Sequence, residues 1–325
     1  MRSSRLLAWT AVVSCAIGLI PGDRAKTAEA WPQHAINLAV PFGSGSGPDI
    51  AARIYAERLA IRWKHPVVVE NRTGADGLIG VTGFAGLRDD HTLLFSPAAP
   101  ITVYPFTQDK ITYDPARDLV PISSAANTFG VIAATASANV QSIPELVRVA
   151  RAHPGTLNWA SGGGAFPLLV AGFLKGANVD LVRISYRQQN LAIQDLAEGR
   201  IQIFAATLTA LLPMAQAGKI HFLAITNKTR APIAPDVQTA MEAGHPELEF
   251  DGLTGFFGWR DMPPELRERI ASDIRAVAAD ASVADRLAKA GQIVHAGTPE
   301  EFAGAIEEQR LKMAAIVRLL GKLEP

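Results

Sequence analysis

The chain has 325 residues and a single cysteine, Cys15. A disulfide framework needs paired cysteines and a thiolate metal site needs several, so both are excluded. There is no excess of either charge, since Lys+Arg and Asp+Glu each total 31. A surface that neutralises phosphates requires a basic excess, so nucleic acid is not an expected partner. The seven histidines form no H-E-x-x-H, which argues against a metal centre. No glycine run leads into Gly-Lys-Ser/Thr, so there is no P-loop. No apolar run approaches the roughly 20 residues of a membrane-spanning helix. No cofactor is expected.

The longest apolar run, Leu6 to Ile20, follows Arg2 and Arg5 and precedes Ala28-Glu29-Ala30. That order is a charged n-region, an h-region and an A-x-A cleavage site, so residues 1–30 read as a secretory signal peptide. Cleavage would remove Arg2, Arg5, Arg24 and Lys26 with Asp23 and Glu29, leaving a slightly acidic mature chain in the periplasm. Cys15 ends a stretch resembling a lipoprotein box. However, the apolar run continues past it, where a lipoprotein would turn polar.

What the chain does have is glycine-rich turns at strand ends. Ile36 to Phe42 reads as a buried strand, followed by Gly43-Ser44-Gly45-Ser46-Gly47, then Pro48 and Asp49 ahead of a helix from Ile50 to Trp63. Proline suits a first helical turn, whose N–H groups lack intrahelical partners. Those free N–H groups and the helix dipole favour an anion, so the loop is expected to grip a carboxylate. Gly43, Gly45 and Glu70 imitate a dinucleotide fingerprint, but Pro48 stands where its third glycine belongs.

The pattern recurs. Val67 to Val69 is a strand before a second glycine-bearing turn, Glu70 to Gly77, and helix Ile79 to Leu87. Strand Thr92 to Ser96 and an irregular stretch, Pro97 to Asp118, follow. Ile122 to Thr135 is β-rich, and Ser142 to Glu145 is a capping box for a helix to Ala152. Leu157 to Ala160 is a strand, Ser161 to Pro167 a third glycine-rich turn, and Leu168 to Gly176 a helix. Strands Val182 to Tyr186, Ile201 to Ala205 and Phe222 to Thr226 then alternate with helices. Such alternation predicts α/β architecture with mostly parallel sheets, and two facing loops at strand ends suit a cleft between two lobes. The lobes are expected to comprise residues 31–127 with 251–325, and residues 128–250. The aromatic stretch Gly252 to Trp259 reads as the return, with Phe256, Phe257 and Trp259 packing at the junction. His91, His153 and His245 read as solvated.

Several segments resemble the extracytoplasmic solute receptors of the tripartite tricarboxylate transporter type, also called Bug receptors. They include VPFGSGSGPDIAARI (40–54), VVVENRTGADGLIG (67–80), LNWASGGG (157–164), SYRQQNLAIQDLAEGRIQI (185–203) and TPEEFAGAI (298–306). The resemblance spans nearly all of the mature chain. It implies a type II periplasmic binding protein-like fold and a small carboxylate held between two lobes. It also implies delivery to membrane transporter subunits or to a sensor, and it goes with a monomer. On the first loop it points to Phe42, Ser44, Gly45, Ser46, Gly47 and Asp49 as ligand-binding, with Ser96 behind them. On the second it points to Ser161, Gly162, Gly163, Gly164, Ala165 and Phe166, joined by Tyr186, Ala206 and Thr207. Here the chain departs from the family pattern. Pro48 replaces a threonine, Phe166 and Pro167 replace two serines, and Ala206 replaces an acid. These changes point to a monocarboxylate with an apolar body.

An alternative reading is an exported serine hydrolase using Ser161. Trp159-Ala160-Ser161-Gly162-Gly163 lacks the first glycine of a nucleophile elbow, and no base is evident for Ser161. The leader reading has a direct check: N-terminal sequencing of the secreted protein should begin at Trp31, and a chain that keeps Met1 would overturn it.

Overall fold

The computed structural model describes residues 31–321, apart from Arg88 and Asp109. The expected leader and Cys15 lie outside those residues. The chain opens as β1 (Ile36–Val40), α1 (Gly47–Trp63), β2 (Val67–Asn71), α2 (Leu78–Ala85) and β3 (Thr92–Pro97). The stretch read as irregular holds three single helical turns: α3 (Ala99–Thr102), α4 (Tyr104–Thr107) and α5 (Pro115–Asp118). Then β4 (Val120–Thr128) and β5 (Gly130–Thr135) follow each other with only Phe129 between.

The middle of the chain is α6 (Ile143–Ala152), β6 (Asn158–Ser161), α7 (Phe166–Ala177), β7 (Val182–Arg183), α8 (Gln189–Ala197), β8 (Ile203–Thr207), α9 (Leu208–Gln216) and β9 (Ile220–Ile225). It closes with β10 (Gly252–Gly258), α10 (Pro264–Ala278), α11 (Ala281–Lys289), β11 (Gln292–Val294) and α12 (Pro299–Leu320). The capping box at Thr298 and Glu301 forms reciprocally. At Ser142 only half of one forms, because the Glu145 carboxylate accepts from the Gln141 N–H instead.

There are two sheets. One has the order β11-β4-β10-β3-β1-β2, the other β7-β6-β8-β5-β9. The fold is therefore two-lobed α/β. Pairing is parallel among β1, β2 and β3 and among β6, β7 and β8. It is antiparallel where β10 meets β3 and β4, and where β5 meets β8 and β9. Parallel neighbours need a crossover, usually a helix. β5 enters straight from the other sheet without one, and so runs reversed; β10 likewise arrives from the other lobe. The strand expected over Val182 to Tyr186 stops at Arg183.

Each sheet is covered on both faces, and alternate residues serve opposite sides. In the first sheet Leu38, Val40, Leu93, Phe95 and Phe256 enter one apolar cluster, while Ala39, Leu94 and Phe257 enter another. Phe256 and Phe257 thus fill the two faces of one sheet rather than the lobe junction, and Trp259 packs against both clusters. In the second sheet Ile132, Ile203 and Ala205 face one way, with Val131, Phe204 and Ala206 opposite.

The junction has its own cluster. Val103 and Tyr104 beside the first sheet meet Ala165, Leu168 and Leu169 of the second lobe, with Met313 and Ile316 of α12 across both. Lys312 of α12 donates to the carbonyls of Pro246 and Glu249 in the segment leading back to β10.

Two crossing segments connect the lobes, and Asn227 ties them together. Its Nδ2 donates to Asn127 Oδ1 and to the Thr128 carbonyl, both at 3.0 Å, and its Oδ1 accepts from the Gly130 N–H at 2.9 Å. Asn127 Nδ2 in turn donates to Asp251 at 3.0 Å. The segments lie too close for a side chain at Gly130, where a Cβ would stand 2.4 Å from Thr226 Oγ1 and 2.8 Å from the Phe166 ring. Replacing Asn227 by leucine would strand a buried N–H, an amide oxygen and a carbonyl. Urea unfolding should then show a loss of about 2–4 kcal/mol, and a loss under about 0.5 kcal/mol would refute this account of the crossing.

Candidate functional site

The first loop is built around a buried carboxylate. Asp49 accepts from the Gly45 N–H at 2.8 Å, from Arg53 Nε at 3.1 and 3.0 Å, and from Asn71 Nδ2 at 2.8 Å. The same Asn71 nitrogen donates to the Phe42 carbonyl at 2.8 Å. Ser46 is the N-cap of α1, its oxygen accepting from the Asp49 N–H. Asp49, Gly45 and the Phe42 carbonyl therefore spend these groups on shaping the loop. Ser44 is exposed. The α1 N-terminus, Gly47 and Pro48, lines a cavity of about 240 Å³.

The second loop meets it from the other lobe. The Gly162 N–H donates to the Ala205 carbonyl at 2.8 Å, which seats the loop on β8. α7 starts at Phe166, two residues before the sequence suggested, with Pro167 in its first turn. Gly163, Gly164, Ala165 and Phe166 line the same cavity, with Thr207 beside them. Two helix N-termini thus open on one space. No lysine or arginine lines it, so any anion there would be held by N–H groups and dipoles.

The remaining predicted residues lie elsewhere. Ser161, Gly162 and Tyr186 line a second pocket of about 310 Å³ with Asp76, Arg183 and Arg187. Tyr186 donates to Asp195 at 2.6 Å, and burial together with that bond pushes its hydroxyl up to about 12. Arg183 lies over the Trp159 ring, 5.7 Å from its centre. Neither Arg183 nor Arg187 forms an ion pair among the described residues. Ser96 is fully buried and donates to the Pro97 carbonyl, while Ala206 is buried behind Gly162. No histidine lines the pocket of Ser161, so the hydrolase reading finds no base there. His91 is not solvated as read: it is buried, accepts from the Gln33 N–H and stacks on His34.

Sequence reasoning missed much of the cavity. Pro97, Ala98 and Ala99 close one side, the crossing residues Thr128, Phe129, Gly130 and Thr226 the floor, and Phe250 to Thr254 another wall. Gln292 and Gln309 come from the C-terminal segment. The crossings had a signal, in the direct β4–β5 run and the glycine-aromatic return. The two glutamines had none, because the family segment between them, residues 298–306, includes neither.

Comparisons with known proteins agree in direction. Residues 51–322 match the model of the tripartite tricarboxylate transporter family receptor. A protein of Pseudomonas sp. (strain P51), encoded in the tcbD-tcbE intergenic region, is 31% identical over 290 residues, covering 88% of this chain and 86% of that one. Protein BugT of Bordetella pertussis is 28% identical over 99% of both chains. Among solved structures, R. palustris Rpa4515 with adipate is 26% identical with a TM-score of 0.77, covering 90% of this chain and 99% of that one. The periplasmic binding protein BugD is 25% identical with a TM-score of 0.73, covering 90% and 99%.

Asp49 offers a test of loop pre-organisation. Burial alone would raise its pKa, but Arg53, the Gly45 N–H and Asn71 together hold it below the usual carboxylate value. Its stabilisation is therefore present above about pH 4, the unfolded-state value, and fades as pH falls through the folded one. Thermal unfolding of Asp49→Asn should lie below wild type at pH 7, with the gap closing towards pH 3. An equal gap at both pH values would mean that the charge does not hold the loop.

Proposed function

This chain belongs to the tripartite tricarboxylate transporter receptor family, and we propose that its cavity takes a small monocarboxylate with an apolar body. Receptors of this family are periplasmic solute-binding proteins rather than enzymes, and they serve tripartite transporters. No helix among the described residues is long and apolar enough to cross a membrane.

The observation carrying the proposal is the convergence of the α1 and α7 N-termini on one cavity that no cationic side chain lines. Residues 31–127 with 251–325 would form one lobe and residues 128–250 the other. The acid end would lie between Gly47 and the Gly163–Ala165 loop. Hydrogen bonds to a charged group contribute about 1.5–3 kcal/mol each, and micromolar affinity needs about 8 kcal/mol, so a few suffice. The body would lie against Phe166, Pro48, Pro97 and Ala98, where buried carbon gains about 25 cal/mol per Å². A second carboxylate would find no cation there. The receptor would act as a monomer, handing its ligand to transporter subunits or to a sensor. The neighbour bound to adipate supports a carboxylate ligand with an apolar chain; adipate carries a second carboxylate, so the preference for a single one rests on the lining of this cavity alone.

A thermal-shift panel tests this reading, with native mass spectrometry of the purified protein to identify retained ligand. A ligand at 100 times its dissociation constant stabilises by about 2.7 kcal/mol. Branched or aromatic monocarboxylates should raise the melting point. If citrate or malate does so while they do not, the apolar reading of the cavity fails.

A further inference from the structure

Basic and acidic residues each total 31, so the chain as a whole has no attraction for an anion, and no lysine or arginine lines the main cavity. Attraction at a distance must then come from a local concentration of positive charge. The second pocket holds one. Arg183 and Arg187 both line it, both are exposed, and neither makes a hydrogen bond or an ion pair among the described residues. Other arginines of the chain find acids, as Arg53, Arg62, Arg200 and Arg310 do.

Local structure keeps these two charges free. Arg183 ends β7 opposite Trp159 of β6, and its guanidinium lies over that buried ring. An aromatic face holds a cation in place without neutralising it. Asp195, which accepts from the Tyr186 hydroxyl, is already paired with Arg200. The acid that lines the pocket itself is Asp76, on the turn before α2 in the other lobe. It has a positive φ of 52°, and Tyr104 donates to its carbonyl. Its carboxylate is aimed at the second loop, since a Cβ on Gly163 would lie 3.8 Å from Asp76 Oδ2. Two cations therefore face one anion, and Gly163 lines both this pocket and the main cavity.

We infer that Arg183 and Arg187 form an anion-capturing site at the edge of the main cavity, which draws a carboxylate from solution before the α1 and α7 N-termini hold it. The inference rests on the carboxylate reading above and divides the work within it. The arginines set how fast the ligand arrives, and the neutral N–H groups set how long it stays. The Debye length at physiological salt is about 8 Å, so charges on a pocket that shares Gly163 with the cavity are only partly screened there. Clefts lined by one sign of charge focus the field and raise association rates, and charges at a rim act on association more than on dissociation. Asp76 works in the opposite direction, because its charge opposes an incoming anion.

Stopped-flow tryptophan fluorescence on the purified protein tests this, with phenylacetate and isovalerate as probes and isothermal titration to give the dissociation constants. At about 20 mM salt the double variant Arg183→Gln, Arg187→Gln should associate about fivefold more slowly than wild type, with dissociation unchanged. Asp76→Asn should associate faster than wild type. Both differences should shrink at about 300 mM salt. The double variant Arg183→Lys, Arg187→Lys should keep the wild-type rate, which separates charge from the packing of Arg183 on Trp159. An association rate unchanged in the glutamine variant, or slowed equally at both salt concentrations, would overturn the inference and leave the monocarboxylate reading standing. A change confined to dissociation would also overturn it, since the arginines would then be direct ligand contacts. If neither acid binds wild type, the monocarboxylate reading falls and this inference with it.

Discussion

Everything in the cleft depends on how the two lobes are joined, and that joint rests on the hydrogen bonds of one buried amide. Asn227 satisfies groups on Asn127, Thr128 and Gly130 at once, and so locks the outgoing and returning crossings side by side. Buried backbone groups outside a regular ladder must find partners, and here an amide supplies both a donor and an acceptor. Because the crossings form the cavity floor, the same bonds that satisfy the joint set the spacing of the two facing loops. The geometry of the joint and the geometry of the cavity are therefore a single constraint.

The second theme is how a negative ligand can be held without a positive side chain. Helix N-termini offer fixed N–H dipoles that cost no reordering of a flexible chain when an anion arrives. The first loop shows what that requires: Asp49 is itself an anion, placed behind the loop to hold Gly45, Arg53 and Asn71 in position. Arginines do occur nearby, at the second pocket, but not on the main cavity wall. The main cavity thus joins two helix N-termini to apolar side chains at Pro48, Pro97, Ala98 and Phe166.

The sequence carried the fold well because its signals were local. Gly43 to Pro48 and Gly162 to Pro167 marked the strand-to-helix turns, and the alternation of short strands with helices predicted two α/β lobes. The antiparallel entry of β5 and β10 was hidden, since it follows from which sheet a strand joins rather than from its own residues. The site was half legible for the same reason. Gly47 and Gly163 to Phe166 sit in motifs and do line the cavity. Asp49 and Ser96 sit in equally suggestive contexts, yet their bonds face inward. Gln292 and Gln309 reach the cavity only through long-range packing, and the nearest family segment, residues 298–306, includes neither.

The long C-terminal helix has a consequence for how the chain acquires its structure. α12 ends at Leu320, and its Met313 and Ile316 complete the apolar cluster that unites the lobes. The joint also needs the bond from Asn127 to Asp251, 124 residues apart. Contacts so distant along the chain are slow to form, and the last of them wait for the final turns to be delivered. A nascent copy therefore stays incomplete, with its first sheet missing β10 and β11, until almost the whole polypeptide has emerged. Receptors of this family work in the periplasm, and a first sheet that closes only with its last strands postpones compaction by topology alone.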